Sequence, residues 1–270
     1  MKLEGNAVLI TGASSGIGEA LARELAREGA RLVLMARRRQ RLERLSAELA
    51  AAGAQAVVHV GDVTKRADLD AAVTVAVERF GRLDIAIANA GFGVVGPIEK
   101  LGVDDYRRQF ETNVFAVLET SKACLAELVK SHGRLVLIGS VAGYISTPNA
   151  SPYAMSKFAI RALAEALRPE LAPQGVTVTL ISPGFVTSEI RQVDNRGGWH
   201  EHAKDPLPSW LPMPADVAAR KIVSAVYRRR REAIITFHGK VLVWLSRFAP
   251  WALRFAARRG VRGRSEPKRT

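Results

Sequence analysis

The sequence predicts an α/β protein with a doubly wound parallel sheet in a single domain. Short apolar runs alternate with longer amphipathic segments, the runs lack polar alternation, and a glycine-rich turn follows the first run. Strands without polar alternation are typically buried on both faces, and strands that alternate with helices form right-handed βαβ units. A chain of 270 residues, 48% of them apolar, is long enough for one large domain of this kind.

Six apolar runs predict the strands. They are residues 7–10, 31–35, 55–60, 83–88, 134–138 and 176–181. Five intervening segments have the apolar spacing of amphipathic helices. They are residues 16–28, 38–52, 65–80, 104–130 and 153–172. Residues 185–213, with adjacent glycines and two tryptophans, break the pattern, and we expect them to form a lid over the substrate.

Positive charge is concentrated near the C-terminus. Residues 220–270 contain 15 of the 40 Lys and Arg residues but only two of the 26 acidic residues. The remaining residues are nearly neutral, so we expect a catalytic, dinucleotide-binding domain at 1–236 and a basic amphipathic extension at 237–270. No nucleic-acid recognition motif accompanies this charge, and nucleic-acid binding is not expected.

The extension has the pattern of a basic amphipathic helix. Lys240, Arg247, Arg254 and Arg258 fall on one helical face, and Pro250 is expected to kink or divide the helix. Such helices with tryptophan at their edge are typical of anionic membrane surfaces, so residues 240–262 predict peripheral membrane contact. A subunit contact or a cover over the substrate entrance is the alternative.

The single cysteine, Cys124, excludes an intramolecular disulfide framework and favours a reducing compartment. The N-terminus leads directly into the first predicted strand and lacks a signal-peptide pattern, so we expect a cytoplasmic protein, with or without membrane-surface association. Cys124 is expected to pack in the core. His200 and His202 alone do not make a zinc site, and no metal is expected.

Residues 11–18 read TGASSGIG between a predicted strand and a predicted helix. Glycines let the backbone turn sharply and approach a pyrophosphate, while the helix N-terminus supplies N–H groups and partial positive charge. The pattern therefore predicts a dinucleotide site. Its predicted contacts are Thr11, Gly12, Ser14, Ser15, Gly16, Ile17 and Gly18.

The end of the second predicted strand indicates which dinucleotide binds. In NAD-binding folds an acidic residue here, about 20 residues beyond the glycines, binds the ribose 2′-hydroxyl. This chain has Ala36-Arg37-Arg38-Arg39 instead. Guanidinium groups pair with a 2′-phosphate that a carboxylate would repel, so we expect NADP(H) rather than NAD(H). Arg37 is the expected main contact and Arg38 the second, assisted by Ser14 or Ser15.

An ordered set of motifs resembles the short-chain dehydrogenase/reductase family over about residues 5–190. Besides the glycine turn, the set comprises Asn89-Ala90-Gly91, Asn113, Ser140, Tyr153-xxx-Lys157 and Pro183-Gly184. Ala88 is a small departure, because many members carry asparagine there. The resemblance implies a Rossmann-type fold and a nicotinamide cofactor. It also implies cofactor contacts from Asp62, Val63, Asn89, Ala90, Gly91, Tyr153, Lys157, Pro183, Gly184, Val186 and Thr187.

Tyr153 and Lys157 are four residues apart and would share one face of a helix. A free tyrosine has a pKa of about 10, too high for efficient proton transfer near neutrality. A nearby ammonium and an oxidised nicotinamide would stabilise the phenolate, with desolvation opposing part of this, so we expect a lowered pKa for Tyr153. The resemblance implies that Ser140 holds the same substrate oxygen, Lys157 binds the nicotinamide ribose, and Asn113 holds a water that completes a proton relay.

The apolar character of residues 185–213 favours a hydrophobic ketone or secondary alcohol, of steroid, retinoid, acyl or aromatic type. Expected substrate contacts are Phe92, Ser140, Tyr144, Phe185, Trp199 and Trp210. The leading hypothesis is an NADP(H)-dependent carbonyl reductase or alcohol dehydrogenase. The alternatives are a β-ketoacyl reductase that works with an acidic carrier protein, and a membrane-surface NADP(H)-binding protein without turnover. The resemblance implies a homodimer or homotetramer through the helices of Asn113 and Tyr153, although the extension replaces the glycine-rich ending of the common tetrameric members.

Overall fold

One parallel sheet organises the protein, whose computed structural model describes residues 1–200, 207–208 and 210–251. Its strands are β1 Ala7–Thr11, β2 Arg31–Ala36, β3 Ala56–Val60, β4 Ile85–Ala88, β5 Arg134–Ile138, β6 Thr177–Ser182 and β7 Glu232–Ile234. In space they follow the order β3-β2-β1-β4-β5-β6-β7, with every neighbouring pair parallel. The predicted doubly wound fold is confirmed.

Helices cover both faces of this sheet. They are α1 Gly16–Arg27, α2 Arg39–Ala51, α3 Arg66–Phe80, α4 Val103–Phe110, α5 Ala116–Lys130, α6 Ser151–Leu171, α7 Ala215–Tyr227 and α8 Phe237–Phe248. The helices α1, α2 and α7 supply apolar side chains to one core cluster, and α3, α5 and α6 supply them to the other. Cys124 of α5 is buried in the second cluster, which confirms its predicted packing role.

Both faces of the central strands are buried, which explains why their sequences show no polar alternation. In β1, Val8 and Ile10 pack in one cluster and Leu9 packs in the other. The same alternation holds in β5, where Val136 and Leu135 lie in different clusters. Neighbouring residues of a strand point to opposite faces, so a strand covered on both sides needs apolar residues throughout.

The predicted helix 104–130 is interrupted. The helices α4 and α5 are separated by a π-helical turn at Glu111–Phe115, which contains Asn113. Short π-helical turns inside helices are frequent at functional sites. Apolar spacing does not reveal such a turn, because it changes the backbone hydrogen bonds and leaves the surrounding helical pattern in place.

Two elements lie beyond those that the apolar patterns predict. The helix α7 follows Pro214 and packs against α1 in the first cluster. The edge strand β7 has only three residues, of which Glu232 is exposed, so it lacks a long apolar run. It nevertheless pairs with β6 and places α8 beside the carboxyl end of the sheet.

The strand order positions the site. The strands β1 and β4 are neighbours, and successive strands run outward from them in opposite directions. Ligands of open α/β sheets bind at the carboxyl ends of the strands beside such a point of reversal. None of the helices in the described residues combines the length and apolar character needed to cross a bilayer.

Candidate active site

The turn after β1 is tied to the segment after β4. The Thr11 hydroxyl donates to the Ile87 carbonyl (3.3 Å) and accepts from the backbone N–H groups of Asn89 (3.0 Å) and Ala90 (3.1 Å). The Asn89 side chain donates back to the carbonyls of Thr11 (2.9 Å) and Gly12 (3.2 Å). These bonds join the two segments on either side of the point where the strand order reverses.

Close backbone approach leaves no room for side chains in the glycine turn. Gly12 has a positive φ of 68°, and a Cβ atom on it would lie 2.8 Å from the Ala90 Cα. A Cβ on Gly18 would collide with the Gly12 carbonyl oxygen. The helix α1 begins directly after Ser15. A tight glycine turn that opens a helix N-terminus fits the pyrophosphate of a dinucleotide.

Arg38 joins this turn to the start of α2. Its guanidinium donates to the hydroxyls of Ser14 (3.1 Å) and Ser15 (2.6 Å). Arg37, the expected main contact, is exposed, so the packing of the side chains favours Arg38 as the residue that faces the turn. Asp62 accepts from the N–H and hydroxyl of Thr64, and the neighbouring Val63 is buried.

Ser140, Tyr153 and Lys157 converge beside the carboxyl end of β5. Ser140 follows β5, and its hydroxyl is close enough to the Tyr153 side chain to lower the pKa of Tyr153. The Lys157 Nζ lies 5.7 Å from the centre of the Tyr153 ring and donates to the Ile138 carbonyl at 2.9 Å. Lys157 follows Tyr153 by one turn of α6 and is buried. The sequence prediction that these three residues meet matches this geometry.

The π-helical turn directs Asn113 toward the same region. Its Oδ1 accepts from the Phe92 N–H (3.1 Å), and its Nδ2 donates to the Phe92 carbonyl (2.9 Å) and to the Ser156 hydroxyl (3.3 Å). Ser156 in turn donates to the Tyr153 carbonyl at 2.7 Å. Asn113 therefore holds the segment after β4 against the helix that carries Tyr153.

Burial dominates the proton affinities of Tyr153 and Lys157. It raises the pKa of Tyr153, and the hydrogen bond with Ser140 and the positive charge of Arg191 offset only part of this rise. Burial also lowers the pKa of Lys157 to about 8. The prediction that Lys157 lowers the pKa of Tyr153 is therefore wrong for the chain by itself, because desolvation disfavours the charged form of both groups.

The segment after β6 packs against α8. The Phe185 N–H donates to the His238 Nε2 (2.9 Å), and the two rings stack with their centres 5.4 Å apart. A Cβ on Gly184 would lie 2.6 Å from the same His238 nitrogen. Val186 is buried, Thr187 is exposed, and the Pro183 carbonyl accepts from Val141. The first turn of α8 thus supports the motif expected to border the nicotinamide.

The other expected substrate residues have varied surroundings. Tyr144 donates to Glu232 at 2.5 Å and contacts Ser182, and burial raises its pKa to about 12. Trp199 packs on the Arg41 guanidinium, 4.6 Å from ring centre to carbon, beside α2. Trp210 is 79% exposed, whereas the Phe92 backbone is held by Asn113. Residues 201–206 and 209 of the expected lid lie outside the described residues.

The comparisons with known proteins agree with this geometry. The family model for short chain dehydrogenases matches residues 6–198. This chain belongs to the short-chain dehydrogenase/reductase family. It is an oxidoreductase with a Rossmann-type fold that binds a nicotinamide cofactor.

Curated relatives extend over most of this family member. It is 35% identical to 11-beta-hydroxysteroid dehydrogenase A of Sesamum indicum over 261 residues, which cover 94% of this chain and 75% of that protein. It is 33% identical to a dehydrogenase/reductase SDR family protein 7-like of Anopheles gambiae, over 92% of this chain and 80% of that protein.

Solved structures of the family carry different cofactors. A short-chain dehydrogenase/reductase from Burkholderia phymatum in complex with NAD aligns with a TM-score of 0.81 at 27% identity, over 91% of this chain and 94% of that one. An alcohol dehydrogenase from Thermococcus sibiricus complexed with 5-hydroxy-NADP aligns with a TM-score of 0.74 at 30% identity, over 85% and 95% of the two chains.

Four residues of this dehydrogenase/reductase site went unrecognised in the sequence. Gln109 is fully buried and bonds to both Phe92 and Val94, and His238 contacts Phe185. Arg191 affects the pKa of Tyr153, and Glu189 pairs with Arg38. Gln109 carried no local sequence signal, because it lies among the charged residues of α4.

The buried Lys157 makes the free energy of unfolding depend on pH. In the unfolded chain its pKa takes the ordinary value of 10.5, and in the fold burial lowers it to about 8. Between these pH values the unfolded chain binds a proton that the folded chain lacks, so stability rises with pH across this window. We expect Lys157→Met to unfold less readily than wild type below pH 8, by up to about 3 kcal/mol, with the advantage vanishing toward pH 10.5.

Urea unfolding at pH 7, 9 and 10.5 measures this difference. Lys122→Met serves as the control, because Lys122 is exposed on α5 and should change stability equally at all three pH values. A Lys157→Met protein that is less stable than wild type at pH 7 would contradict the expected cost of burying the ammonium.

Proposed function

We propose that this family member is an NADP(H)-dependent carbonyl reductase or secondary-alcohol dehydrogenase that acts on an apolar substrate. The observation that carries the proposal is the convergence of Ser140, Tyr153 and Lys157 beside the carboxyl end of β5, at the same edge of the sheet as the glycine turn. A protein that only binds a dinucleotide would not need all three polar side chains together.

The chain's own residues divide the work of proton transfer. When bound, the nicotinamide supplies or accepts the hydride. In the reducing direction, Tyr153 donates its phenolic proton to the substrate carbonyl oxygen, while Ser140 donates a hydrogen bond to the same oxygen. Lys157 would hold the nicotinamide ribose of a bound cofactor and return a proton to Tyr153. Asn113 would hold a water that joins Lys157 to solvent. In the oxidising direction, Tyr153 accepts the proton from the alcohol.

The charges near the adenosine end support NADP(H). Arg38 contacts both serines of the glycine turn, and Arg37 lies exposed beside it. No acidic residue occupies the end of β2, where a ribose 2′-hydroxyl would be held in NAD-dependent folds. We place Asp62 and Val63 at the adenine, and Pro183, Gly184, Val186 and Thr187 at the nicotinamide.

Apolar side chains support a hydrophobic substrate. Phe92 lies in the segment after β4 that Asn113 holds. Phe185 directly follows the Pro183-Gly184 motif. The sesame relative is named for a hydroxysteroid, an apolar secondary alcohol. We keep Tyr144, Trp199 and Trp210 as proposed contacts, although Tyr144 and Trp199 also bind Glu232 and Arg41. We extend the proposal to a cytoplasmic location.

Exposed apolar residues in the π-helical turn before α5 and on α6 support a homodimer or homotetramer. Phe115, Met155 and Phe158 are 51%, 50% and 42% exposed on the helices that contain or adjoin Asn113 and Tyr153. Burial of such side chains between subunits would remove apolar surface from water.

The outer face of α8 supports contact with an anionic membrane surface. Phe237, Lys240, Trp244, Arg247 and Phe248 are exposed and follow one another at helical spacing. Aromatic and basic side chains therefore share the solvent-facing side of α8. Residues 252–270, with Arg254 and Arg258, lie outside the described residues.

The proposed mechanism requires the phenol of Tyr153. We expect Tyr153→Phe to lower kcat/KM by about 10²- to 10⁴-fold with NADPH and an apolar ketone, because the general acid is lost. The dissociation constant for NADPH should change little. Tyr227→Phe, on an exposed residue of α7, is the control. Unchanged turnover in Tyr153→Phe would contradict the mechanism, and activity confined to acyl-carrier thioesters would favour the β-ketoacyl reductase.

Single arginine variants test the cofactor preference. We expect Arg38→Ala to raise the NADPH dissociation constant by about 10- to 100-fold, the range for a hydrogen bond to a charged group, and to affect NADH much less. Arg37→Ala should have a smaller effect, and Arg39→Ala, which removes an exposed partner of Glu43, should have none. Equal losses for NADPH and NADH in Arg38→Ala would contradict a 2′-phosphate contact.

Co-sedimentation with vesicles tests the membrane contact. We expect the full chain to pellet with phosphatidylserine vesicles and not with neutral ones, and the double variant Trp244→Ser/Phe248→Ser to lose most of this binding. The control, Ile98→Ser/Val103→Ser, removes two exposed apolar residues far from α8 in the sequence. Equal pelleting of all three proteins would remove the membrane role of α8.

A further inference from the structure

A strap of residues 185–200 crosses from the carboxyl end of β6 to the start of α2. Near its beginning, the Ser188 Cβ lies 3.0 Å from where a Cβ on Gly16 would stand, so the strap touches the glycine turn. At its end, Trp199 packs on Arg41 of α2. The substrate-side strap therefore reaches the part of the cleft where the adenosine ribose of a dinucleotide is expected.

Glu189 makes the polar contact at this crossing. Its carboxylate accepts from the Arg38 guanidinium at 3.0 Å and from the Arg41 guanidinium at 2.6 and 2.7 Å. Arg38 simultaneously donates to Ser14 and Ser15. One carboxylate thus pairs with Arg38, which contacts the serines of the glycine turn, and with Arg41 in the first turn of α2.

The carboxylate is held in its charged form. Burial alone would raise the pKa of Glu189, but hydrogen bonds from Arg41 and Arg38 outweigh it and keep that pKa below its usual value. Glu43 pairs separately with Arg39 on the exposed side of α2. The ion pairs of Glu189 are about one-third exposed, so each is expected to contribute modestly and to be exchangeable.

A second anion at the same arginines would compete with Glu189. A 2′-phosphate carries up to two negative charges and pairs well with guanidinium groups, but a carboxylate at the same groups would repel it. A dinucleotide that lacks this phosphate would leave the Glu189 contacts in place. Which dinucleotide binds therefore determines whether Glu189 keeps its contacts with Arg38 and Arg41 and so holds the strap against α2.

We propose that Glu189 competes with the cofactor's 2′-phosphate for Arg38 and Arg41, so that binding of NADP(H), but not NAD(H), releases the strap from α2. The inference rests on the proposed preference for NADP(H). It makes Glu189 a specificity residue contributed by the substrate side of the cleft. It also makes the position of the strap depend on the 2′-phosphate, which lies at the adenosine end of the cofactor.

Isothermal titration with adenosine 2′,5′-bisphosphate and with 5′-AMP isolates the phosphate. We expect Glu189→Gln to bind the bisphosphate roughly fivefold more tightly than wild type, the size of one partly exposed ion pair, and to bind 5′-AMP with unchanged affinity. Glu43→Gln removes the same charge from a nearby ion pair and should change neither affinity. Weaker bisphosphate binding in Glu189→Gln, or no change, would overturn the inference.

Hydrogen exchange of the strap supplies a readout independent of affinity. In wild type, the bisphosphate should speed amide exchange in peptides covering residues 186–200, and 5′-AMP should not. In Glu189→Gln, exchange should already be fast and insensitive to the bisphosphate. Slower exchange on addition of the bisphosphate to wild type would mean that Glu189 closes the strap over the ligand and would overturn the release.

The two proposals fail in different ways. If wild type binds both probes equally, the preference for NADP(H) fails and the inference fails with it. If wild type prefers the bisphosphate but Glu189→Gln behaves as wild type in both measurements, only the competition is overturned.

Discussion

Hydrogen bonds between the turn after β1 and the segment after β4 fix the position of the glycine turn relative to the rest of the active site. The Thr11 hydroxyl and the Asn89 amide bridge these segments where the strand order reverses. Each neutral bond contributes only about 1 kcal/mol, but leaving one of the buried groups unpaired would cost more. Because the glycine turn and the Asn113-bound Phe92 segment meet here, their relative position depends on this small network.

The same arrangement removes Tyr153 and Lys157 from water, which disfavours their charged forms. Lys157 is buried and donates a hydrogen bond to the Ile138 carbonyl, and burial lowers its pKa to about 8. Burial raises the pKa of Tyr153, which likewise favours its uncharged form. Removal from water therefore brings the pKa of the amine toward neutral pH and keeps the phenol protonated, which is the form that the proposed general acid requires. A stability cost at an active site is the usual consequence of such placement.

Peripheral contacts connect the cleft to the rest of the chain. His238 of α8 supports the Pro183-Gly184 segment through Phe185, and Gly239 packs against Val141 beside Ser140. The inner side of α8 thus contacts the segments that border the active site, while its aromatic and basic residues face outward. On the opposite side, Glu189 and Trp199 connect the segment after β6 to α2.

The sequence by itself determined the parallel sheet, the glycine turn and the order of Asn113, Ser140, Tyr153 and Lys157 along the chain. Buried strands, helix faces and turn glycines leave local patterns, because side-chain period and backbone conformation act over a few residues. Only the tertiary structure decided that Arg38 rather than Arg37 faces the turn, that a π-helical turn carries Asn113, and that Glu189 and His238 reach the site. It also reversed the expected pKa shift of Tyr153. Burial and long-range contacts depend on residues far apart in the chain, and no local pattern records them.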